Sequence, residues 1–244
     1  MAKAYWYDGF MDKNDASALD LLLGCNEAVL VGLSESFHPE NQNTESRTAI
    51  ERKTSLKIYA GSQRPIIAHA SIAREYAFDK GNSKLKTDYA WDAMYKATKK
   101  AKSLTLLCTG SMTNIALALL RYDDFSNYIE RIIFDAGTVG VGDSKAMSEN
   151  KAAFDAYAMK TVLTSGVKLL YVGMGSWNSN RISAVDLVSC ALNIDHIQTQ
   201  KANMDIETAV CDQFARTIID MRVTSKAEKN IEFIFIDKDS KENL

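Results

Sequence analysis

Acidic side chains are concentrated in one short stretch near the start of the chain. Between Tyr7 and Ala16 lie Asp8, Asp12, Asn14 and Asp15. Asn14 or Asp15 suits the N-cap of a following helix, where a side-chain oxygen accepts hydrogen bonds from free amides, but capping leaves Asp8 unexplained. Carboxylates this close together repel each other unless a cation or a proton separates them. Oxygen donors without nearby His or Cys suit a hard cation such as calcium or magnesium, so a metal site and a simple cap are both open.

Two later stretches also place polar residues after apolar runs. Leu106–Ala116 has the pattern of a strand, a turn and a helix, and its glycine lets the backbone approach a ligand closely. Thr113 or Asn114 in the same stretch fits a helix cap. Ala152–Ala158 is rich in apolar residues and contains one acid, Asp155, which by itself suits a capping or surface position.

Strands and helices are predicted to alternate along the chain. Short runs rich in Val, Ile, Leu and aromatic residues predict strands at Ala4–Tyr7, Ala28–Leu33, Lys57–Tyr59, Leu104–Cys108, Arg131–Phe134, Lys168–Val172 and Ile231–Ile236. Apolar residues at three- and four-residue spacings predict helices at Asp15–Leu23, Glu45–Lys53, Tyr89–Ala101, Thr113–Leu120, Ala152–Thr164, Ala184–Leu192 and Thr208–Met221. This alternation predicts an α/β fold with a mainly parallel central sheet and helices on both faces. Right-handed crossovers bring the carboxyl ends of the strands to one edge, where ligands bind.

The composition is that of a globular protein. The 244 residues are 46% hydrophobic and 25% charged with a formal net charge of -2, which fits a single domain over residues 1–244 and no nucleic-acid partner. No apolar run reaches the roughly 18 residues that span a bilayer, so no membrane partner is expected. The first residues lack the apolar core of a secretory signal. The four cysteines are far apart and form no CxxC pair, as expected of free thiols in a cytoplasmic protein.

Four blocks of residues form a recognisable pattern. Asn14–Leu19 matches the end of the opening motif Asp-x-Asp-Pro-Gly-x-Asp-Asp-Ala, and Tyr59–Ile66 matches Tyr-x-Gly-x-x-Arg-Pro-Leu. Cys108–Ala118 is close to Thr-Gly-Pro-Leu-Thr-Asn-Leu-Ala, and Phe154–Tyr157 stands for Glu-Phe-Asn. With these blocks the chain resembles the inosine-uridine-preferring nucleoside hydrolases, which are calcium-dependent N-ribohydrolases. The resemblance implies a Rossmann-like nucleoside hydrolase fold, a nucleoside or riboside as the small-molecule partner, and a homo-oligomer, either a dimer or a tetramer.

The resemblance also implies a set of metal ligands. In the family, Ca2+ is held by two acids of the first loop, the backbone carbonyl of the threonine in the Thr-Gly turn, and an aspartate late in the chain. By motif match these are Asp8, Asp15, Thr109 and Asp205. Asp205 is chosen because Met204–Val210 resembles the late motif, with methionine in place of histidine, and because an Ala-Val helix is predicted to follow. The Asp195-His196 pair is a competing candidate.

The substrate-facing residues follow from the same match. Asp8 is implied to be the catalytic base, which takes a proton from a calcium-bound water, while Asn14 and Asp155 hold ribose hydroxyls. The first loop is interpreted as about two residues longer than that of the family, which brings Asp12 or Lys13 towards the substrate. Asp143, in a loop after a predicted strand, either faces the pocket or is a solvated loop acid.

Departures from the family pattern affect the expected activity. Met204 and Ala77 stand where the family places histidines, and Asp155 replaces the ribose-binding asparagine. No acid is then evident to protonate the departing base, so weak or narrow hydrolysis of the N-glycosidic bond is expected. One alternative is a non-catalytic metal- and ribose-binding relative. Another is a haloacid-dehalogenase-like phosphatase, which the Asp8-Gly9 pair at the end of the first strand also suggests.

Overall fold

The structure, a computed structural model, describes residues 2–39, 44–67, 88–144, 148–174 and 182–236. Within these ranges the strands are β1 (Lys3–Gly9), β2 (Ala28–Glu35), β3 (Ile58–Tyr59), β4 (Leu104–Cys108), β5 (Ile129–Phe134), β6 (Leu169–Met174), β7 (Gln200–Ile206), β8 (Thr217–Asp220) and β9 (Ile231–Ile236). The α-helices are α1 (Lys13–Gly24), α2 (Thr44–Thr54), α3 (Ala90–Ala101), α4 (Thr113–Arg121), α5 (Asn150–Phe154), α6 (Ala156–Leu163) and α7 (Ala184–Leu192). Ala77, one of the two positions where a family histidine was expected, lies outside the described residues.

The strands form one sheet whose order is β3-β2-β1-β4-β5-β6-β9-β7-β8. Neighbours from β3 to β9 are parallel, whereas β7 is antiparallel to both β9 and β8. The predicted α/β fold with a mainly parallel sheet is therefore confirmed. The chain runs outward from β1 to β3 and then adds β4 on the other side of β1. Open α/β sheets bind ligands where the strand order reverses in this way, which here is the crevice at the carboxyl ends of β1 and β4.

Helices cover both faces of the sheet. Leu106 and Ile132 belong to a buried cluster that includes residues of α3, α4 and α6. Leu107 and Ile133 belong to a second cluster, with residues of α1 and α7. Because successive side chains of a strand point to opposite faces, the central strands are buried on both sides, which explains their continuous apolar runs. No helix within the described ranges is both long and apolar enough to cross a bilayer.

Two of the predicted helices differ from the structure. The helix predicted over Thr208–Met221 is wrong, since β8 lies there and pairs with β7, a strand that the sequence analysis did not predict. The helix predicted over Ala152–Thr164 is interrupted at Asp155, whose φ of -152° is extended and separates α5 from α6. In both places tertiary contacts override a local helical pattern.

Candidate active site

The Asp8 carboxyl is fully buried at the end of β1. Its Oδ1 atom accepts hydrogen bonds from Ser34 Oγ at 2.5 Å and from Asn114 Nδ2 at 2.8 Å. Ser34 lies near the end of β2 and Asn114 in the first turn of α4, so three elements fix this oxygen. Asn114 reaches it because Gly61 has no side chain: a Cβ there would lie 1.9 Å from the carbonyl oxygen of Glu35 and 2.6 Å from Asn114 Nδ2.

The other carboxyl oxygen of Asp8 is less well satisfied. Its contact with Ser36 Oγ is 3.3 Å long, whereas the same hydroxyl lies 2.5 Å from the carbonyl oxygen of Ser111. A serine hydroxyl has one proton, and the shorter contact with the carbonyl takes it. Burial raises the pKa of Asp8 to about 7, although the hydrogen bonds from Ser34, Asn114 and Ser36 oppose the shift. Oδ2 is therefore the oxygen at which Asp8 gains or loses a proton near neutral pH.

Asp15 lies in a second hydrogen-bonded group. Its Oδ1 accepts hydrogen bonds from Tyr7 Oη at 2.6 Å and from Thr109 Oγ1 at 2.7 Å, and its Oδ2 from the Asp12 amide at 3.2 Å. Gly9 permits this arrangement, because a Cβ there would lie 2.5 Å from Thr109 Oγ1 and 2.9 Å from Asp15 Oδ1. Burial raises the pKa of Asp15, and the negative charge of Asp12 adds to the shift.

Asp8 and Asp15 are neighbours whose carboxylates have different partners. Tyr7 and Asp8 are adjacent in β1 and so point to opposite faces of the sheet, and Tyr7 binds Asp15. Within the described part of the chain, the hydrogen bonds to the two carboxylates come from different residues. The Thr109 amide donates to the carbonyl oxygen of Asp8 at 3.0 Å, which joins the two groups through the backbone.

Asp12 and Asn14 occupy helix-start positions. Asp12 is the N-cap of α1, and its side chain accepts hydrogen bonds from the amides of Asn14 and Asp15 in a capping box. The side chain of Asn14 is exposed on the first turn of α1. Neither side chain is directed by a contact towards Asp8.

Asp155 and Asp143 cap helices as well. Asp155 is buried; its Oδ1 accepts from the Ala158 amide, and its Oδ2 accepts from the Ile66 amide and Thr113 Oγ1, both at 2.8 Å. Both oxygens are thus engaged by the protein. Asp143 is exposed, and its Oδ1 accepts from the amide of Asn150 at the start of α5.

The late candidates lie elsewhere in the fold. Asp205 is exposed on β7, and its carboxylate forms an ion pair with Lys160 of α6. Met204 and Ile206 on either side of it are buried, as expected when a strand alternates between two faces. Asp195, in the 3₁₀ turn Ile194–His196, forms an ion pair with Lys3 at 2.6 Å. The structure does not bring these acids together with Asp8 and Asp15.

An ion pair between Lys151 and the buried Asp135 was not anticipated from the sequence. Lys151 Nζ in α5 lies 2.6 Å from Oδ2 of Asp135, the residue directly after β5. Burial lowers the pKa of Lys151, but the negative charges of Asp135 and Glu149, with a smaller contribution from Asp15, raise it above its ordinary value overall. Asp135 was detectable, since an acid after a predicted strand lies at the ligand-binding edge. Lys151 gave no such signal, because a lysine in a predicted helix is usually solvated.

Comparison with known proteins identifies the family. The family model described as "Inosine-uridine preferring nucleoside hydrolase" matches residues 8–187. The chain belongs to this family. It is 23% identical over 189 residues to the pyrimidine-specific ribonucleoside hydrolase RihA of Enterobacter sp. (strain 638), covering 71% of this chain and 60% of that protein. The chain therefore spans about 60% of the length of this curated relative.

Solved structures of nucleoside hydrolases share the fold. The inosine-uridine preferring nucleoside hydrolase from Bacillus anthracis superposes with a TM-score of 0.77 at 14% identity, over 96% of this chain and 94% of that one. The purine-preferring ribonucleoside hydrolase from Gardnerella vaginalis gives a TM-score of 0.74 at 17% identity, over 95% and 92%. The family assignment leaves the phosphatase alternative without support.

The opening motif of the family can be placed on the chain without an insertion. Asp8–Ala16 comprises nine residues, the length of the motif Asp-x-Asp-Pro-Gly-x-Asp-Asp-Ala, so the two extra residues inferred from the sequence are not needed. Phe10 then stands at the second aspartate of the motif. Its ring packs edge-on against His38 at 4.9 Å and against Phe154 at 6.0 Å between ring centroids. An aromatic cluster thus replaces a carboxylate of the nucleoside hydrolase motif.

The family is known for metal-dependent activity, but the described residues fit a divalent cation poorly. They contain no group of three or more His, Cys, Asp or Glu side chains arranged to hold a metal ion. The Oδ1 atoms of Asp8 and Asp15 each accept two hydrogen bonds from side chains of the protein, and Oδ2 of Asp15 accepts one from the Asp12 amide. The ammonium group of Lys151 is paired with Asp135 at 2.6 Å, and Asp15 makes only a small contribution to its electrostatic environment. Calcium takes about six to eight oxygen ligands, and within the described residues no third acidic or histidine side chain joins Asp8 and Asp15 in an arrangement that would hold a metal ion.

Proposed function

We propose that the protein hydrolyses the N-glycosidic bond of ribonucleosides or related ribosides. The observation that carries this proposal is the Asp8 carboxyl, buried beside the point where the strand order reverses and with a pKa of about 7. A general base is most effective when its pKa lies near the working pH. Membership of the nucleoside hydrolase family supports the choice of reaction.

In this proposal, Oδ2 of Asp8 is the atom that takes the proton. Ser34 and Asn114 hold Oδ1 and so fix the plane of the carboxylate. A water molecule that takes the place of the long Ser36 contact gives its proton to Oδ2 as it attacks the anomeric carbon. The carbon–nitrogen bond breaks with its electron pair leaving on the base, and the ribosyl group passes through an oxocarbenium-like state. No step is assigned to a metal ion.

The leaving group decides which substrates react. Met204, at the position of a family histidine, is buried and carries no proton to donate. General acid catalysis is typically worth about 10²–10⁴-fold in rate. A substrate whose leaving group departs without a proton, such as p-nitrophenyl riboside, should therefore react faster than inosine.

The test measures p-nitrophenol and hypoxanthine release by the full chain, with and without added calcium. Asp8→Asn keeps the shape of the side chain and removes the base, and should lower p-nitrophenol release at least about 100-fold. Asp20→Asn is the matched control, since Asp20 is an exposed acid of α1 paired with Lys53, and should behave as wild type. Activity that survives Asp8→Asn, or no release by the wild-type protein, would contradict the proposal.

A riboside-binding protein without turnover is the second candidate. Phe10 in place of a motif carboxylate favours it, since the site then has one acid fewer for chemistry. This candidate predicts saturable binding of inosine, measured by calorimetry, together with no release of hypoxanthine after prolonged incubation.

A further inference from the structure

Phe10 belongs to an aromatic cluster at the carboxyl edge of the sheet. The ring centroid of Phe10 lies 4.9 Å from that of His38 and 6.0 Å from that of Phe154, and the last two are 4.9 Å apart. All three pairs are T-shaped, which is a favourable arrangement for aromatic rings. Because the rings come from the loop after β1, the loop after β2 and the end of α5, three segments of the chain hold Phe10 in place.

The ring of Phe10 lies on the Ser36 side of the Asp8 carboxyl. Its Cε1 atom and the Ser36 hydroxyl both lie beside Gly110, since a Cβ on Gly110 would be 3.1 Å from the ring atom and 2.6 Å from Ser36 Oγ. The same hydroxyl is 3.3 Å from Oδ2 of Asp8. The ring edge therefore reaches the neighbourhood of the less well satisfied oxygen of Asp8, and the missing side chain of Gly110 leaves room for it.

A phenylalanine offers a hard cation no ligand. Calcium is bound by oxygen atoms, and its affinity depends on how many of them are charged. In the gap-free match of Asp8–Ala16 to the opening motif, Phe10 stands where the family pattern has an aspartate. Of the other acids that the resemblance implies as ligands, Asp205 is paired with Lys160 elsewhere in the fold. Asp8 and Asp15 are then the two acids of this set that the described residues bring together.

We infer that Phe10, held by His38 and Phe154, prevents divalent cations from binding at Asp8 and Asp15, and that the chain is a metal-independent member of its family. The inference rests on the proposed function only for its catalytic consequence. The attacking water then gives its proton to Asp8 without a cation, so p-nitrophenol release is the same in EDTA as in calcium. The part that concerns cation binding follows from the contacts of this chain, whether or not it turns over a substrate.

The experiment restores an acid at residue 10 and measures calcium binding to the full chain by titration calorimetry with calcium chloride. Wild type should bind no calcium at this site. Phe10→Asp adds a third carboxylate to Asp8 and Asp15 and should bind calcium at least about tenfold more tightly than Phe10→Asn, which has the same size but one charge fewer. Phe154→Asp is the matched control, because it adds an acid to the same cluster where the family pattern also has phenylalanine, and it should bind no calcium.

Further measurements separate folding, cation binding and turnover. Circular dichroism and the melting temperature show which variants fold, and Phe10→Asp/Asp15→Asn should lose the calcium that Phe10→Asp binds. Calcium uptake by wild type that is lost in Asp15→Asn would overturn the inference whichever variants fold. A folded Phe10→Asp that binds calcium no better than Phe10→Asn would overturn it as well, as would p-nitrophenol release by wild type that requires calcium. A wild type with neither calcium uptake nor turnover would support the inference and contradict only the proposed hydrolysis.

Discussion

At the residue scale, the burial of Asp8 makes a prediction about stability. The folded chain holds the proton of Asp8 up to a pKa of about 7, whereas the ordinary value is 3.8. Between these values the folded state binds more protons than the unfolded state, so the free energy of unfolding falls as the pH rises. In Asp8→Asn this contribution is absent, and the fall between about pH 4 and pH 7 should be shallower by about 1.4 kcal/mol per pH unit.

Urea denaturation at pH values from about 3 to 8 measures this difference, since the window spans both pKa values of Asp8. Several other buried acids, among them Asp15 and Asp155, also have raised pKa values, so the wild-type curve alone does not isolate Asp8. The comparison with Asp8→Asn does, and Asp20→Asn on the exposed side of α1 should follow the wild-type curve. Parallel curves for wild type and Asp8→Asn would show that folding does not raise the pKa of Asp8.

The hydroxyl of Tyr7 makes a second prediction at this scale. It donates to Asp15 Oδ1 at 2.6 Å and lowers the pKa of that carboxyl, against the larger effect of burial. Tyr7→Phe should destabilise the protein by about 2 kcal/mol. Its effect should be larger at about pH 8 than at about pH 5, because the ionised form of Asp15 needs the donor most. Tyr128→Phe removes a hydroxyl that binds Lys99 at the surface and should change the free energy of unfolding by under about 0.5 kcal/mol. An equal effect of Tyr7→Phe at both pH values would contradict this account.

The sequence identified Asp8 but not its environment. An acid at the tip of a predicted strand lies at the ligand-binding edge whatever the details of the fold, so position alone singled it out. Ser34, Ser36 and Asn114 come from other elements, and their contacts depend on the register between β1, β2 and β4, which no local pattern encodes. The same limit applies to Lys151, whose partner Asp135 is 16 residues away.

At the element scale, the secondary structure was predicted correctly where a single hydrophobic pattern dominates the local sequence. The parallel strands β1, β2, β4, β5, β6 and β9 are short apolar runs, and each was predicted near its observed place. The signal is strongest at the centre of the sheet, where β4 is buried along its whole length and β1 along most of it. The prediction failed from Gln200 to Asp220, because β7 and β8 form an antiparallel pair at the sheet edge. There the apolar residues alternate with exposed ones, and a few of them also fall at helical spacings.

The break between α5 and α6 makes a prediction for this scale. Asp155 caps α6 and at the same time accepts from Ile66 and Thr113. Asp155→Ala should lower the free energy of unfolding by about 3 kcal/mol, since it removes a cap and leaves buried donors without an acceptor. Ser183→Ala removes the cap of α7, where the side chain binds Asp186 in the first turn of the same helix, and should cost about 1 kcal/mol. Thermal or urea unfolding of both variants measures the difference. Equal losses would mean that Asp155 acts as a cap alone.

At the scale of the whole molecule, the balance of charges at the carboxyl edge of the sheet determines whether a cation can bind there. Asp8 is held near neutrality by its raised pKa, while Asp135 and Glu149 surround the ammonium group of Lys151. The acids of the site are thus compensated by a proton and by a lysine within the described residues. A divalent cation added to this arrangement would meet an ammonium group close by and donors already bound to the carboxylates.

The melting temperature in calcium tests this balance. A ligand that binds the folded chain at about 100 times its Kd stabilises it by about 2.7 kcal/mol, and for a chain of this size each kcal/mol raises the Tm by roughly 2–4 °C. A working calcium site would therefore raise the Tm by several degrees between EDTA and millimolar calcium. We expect no such rise in the wild-type protein. Lys151→Met leaves Asp135 and Glu149 uncompensated, so calcium should raise the Tm of this variant more than that of wild type. A rise of several degrees in wild type that disappears in Asp15→Asn would instead show that calcium binds at Asp15.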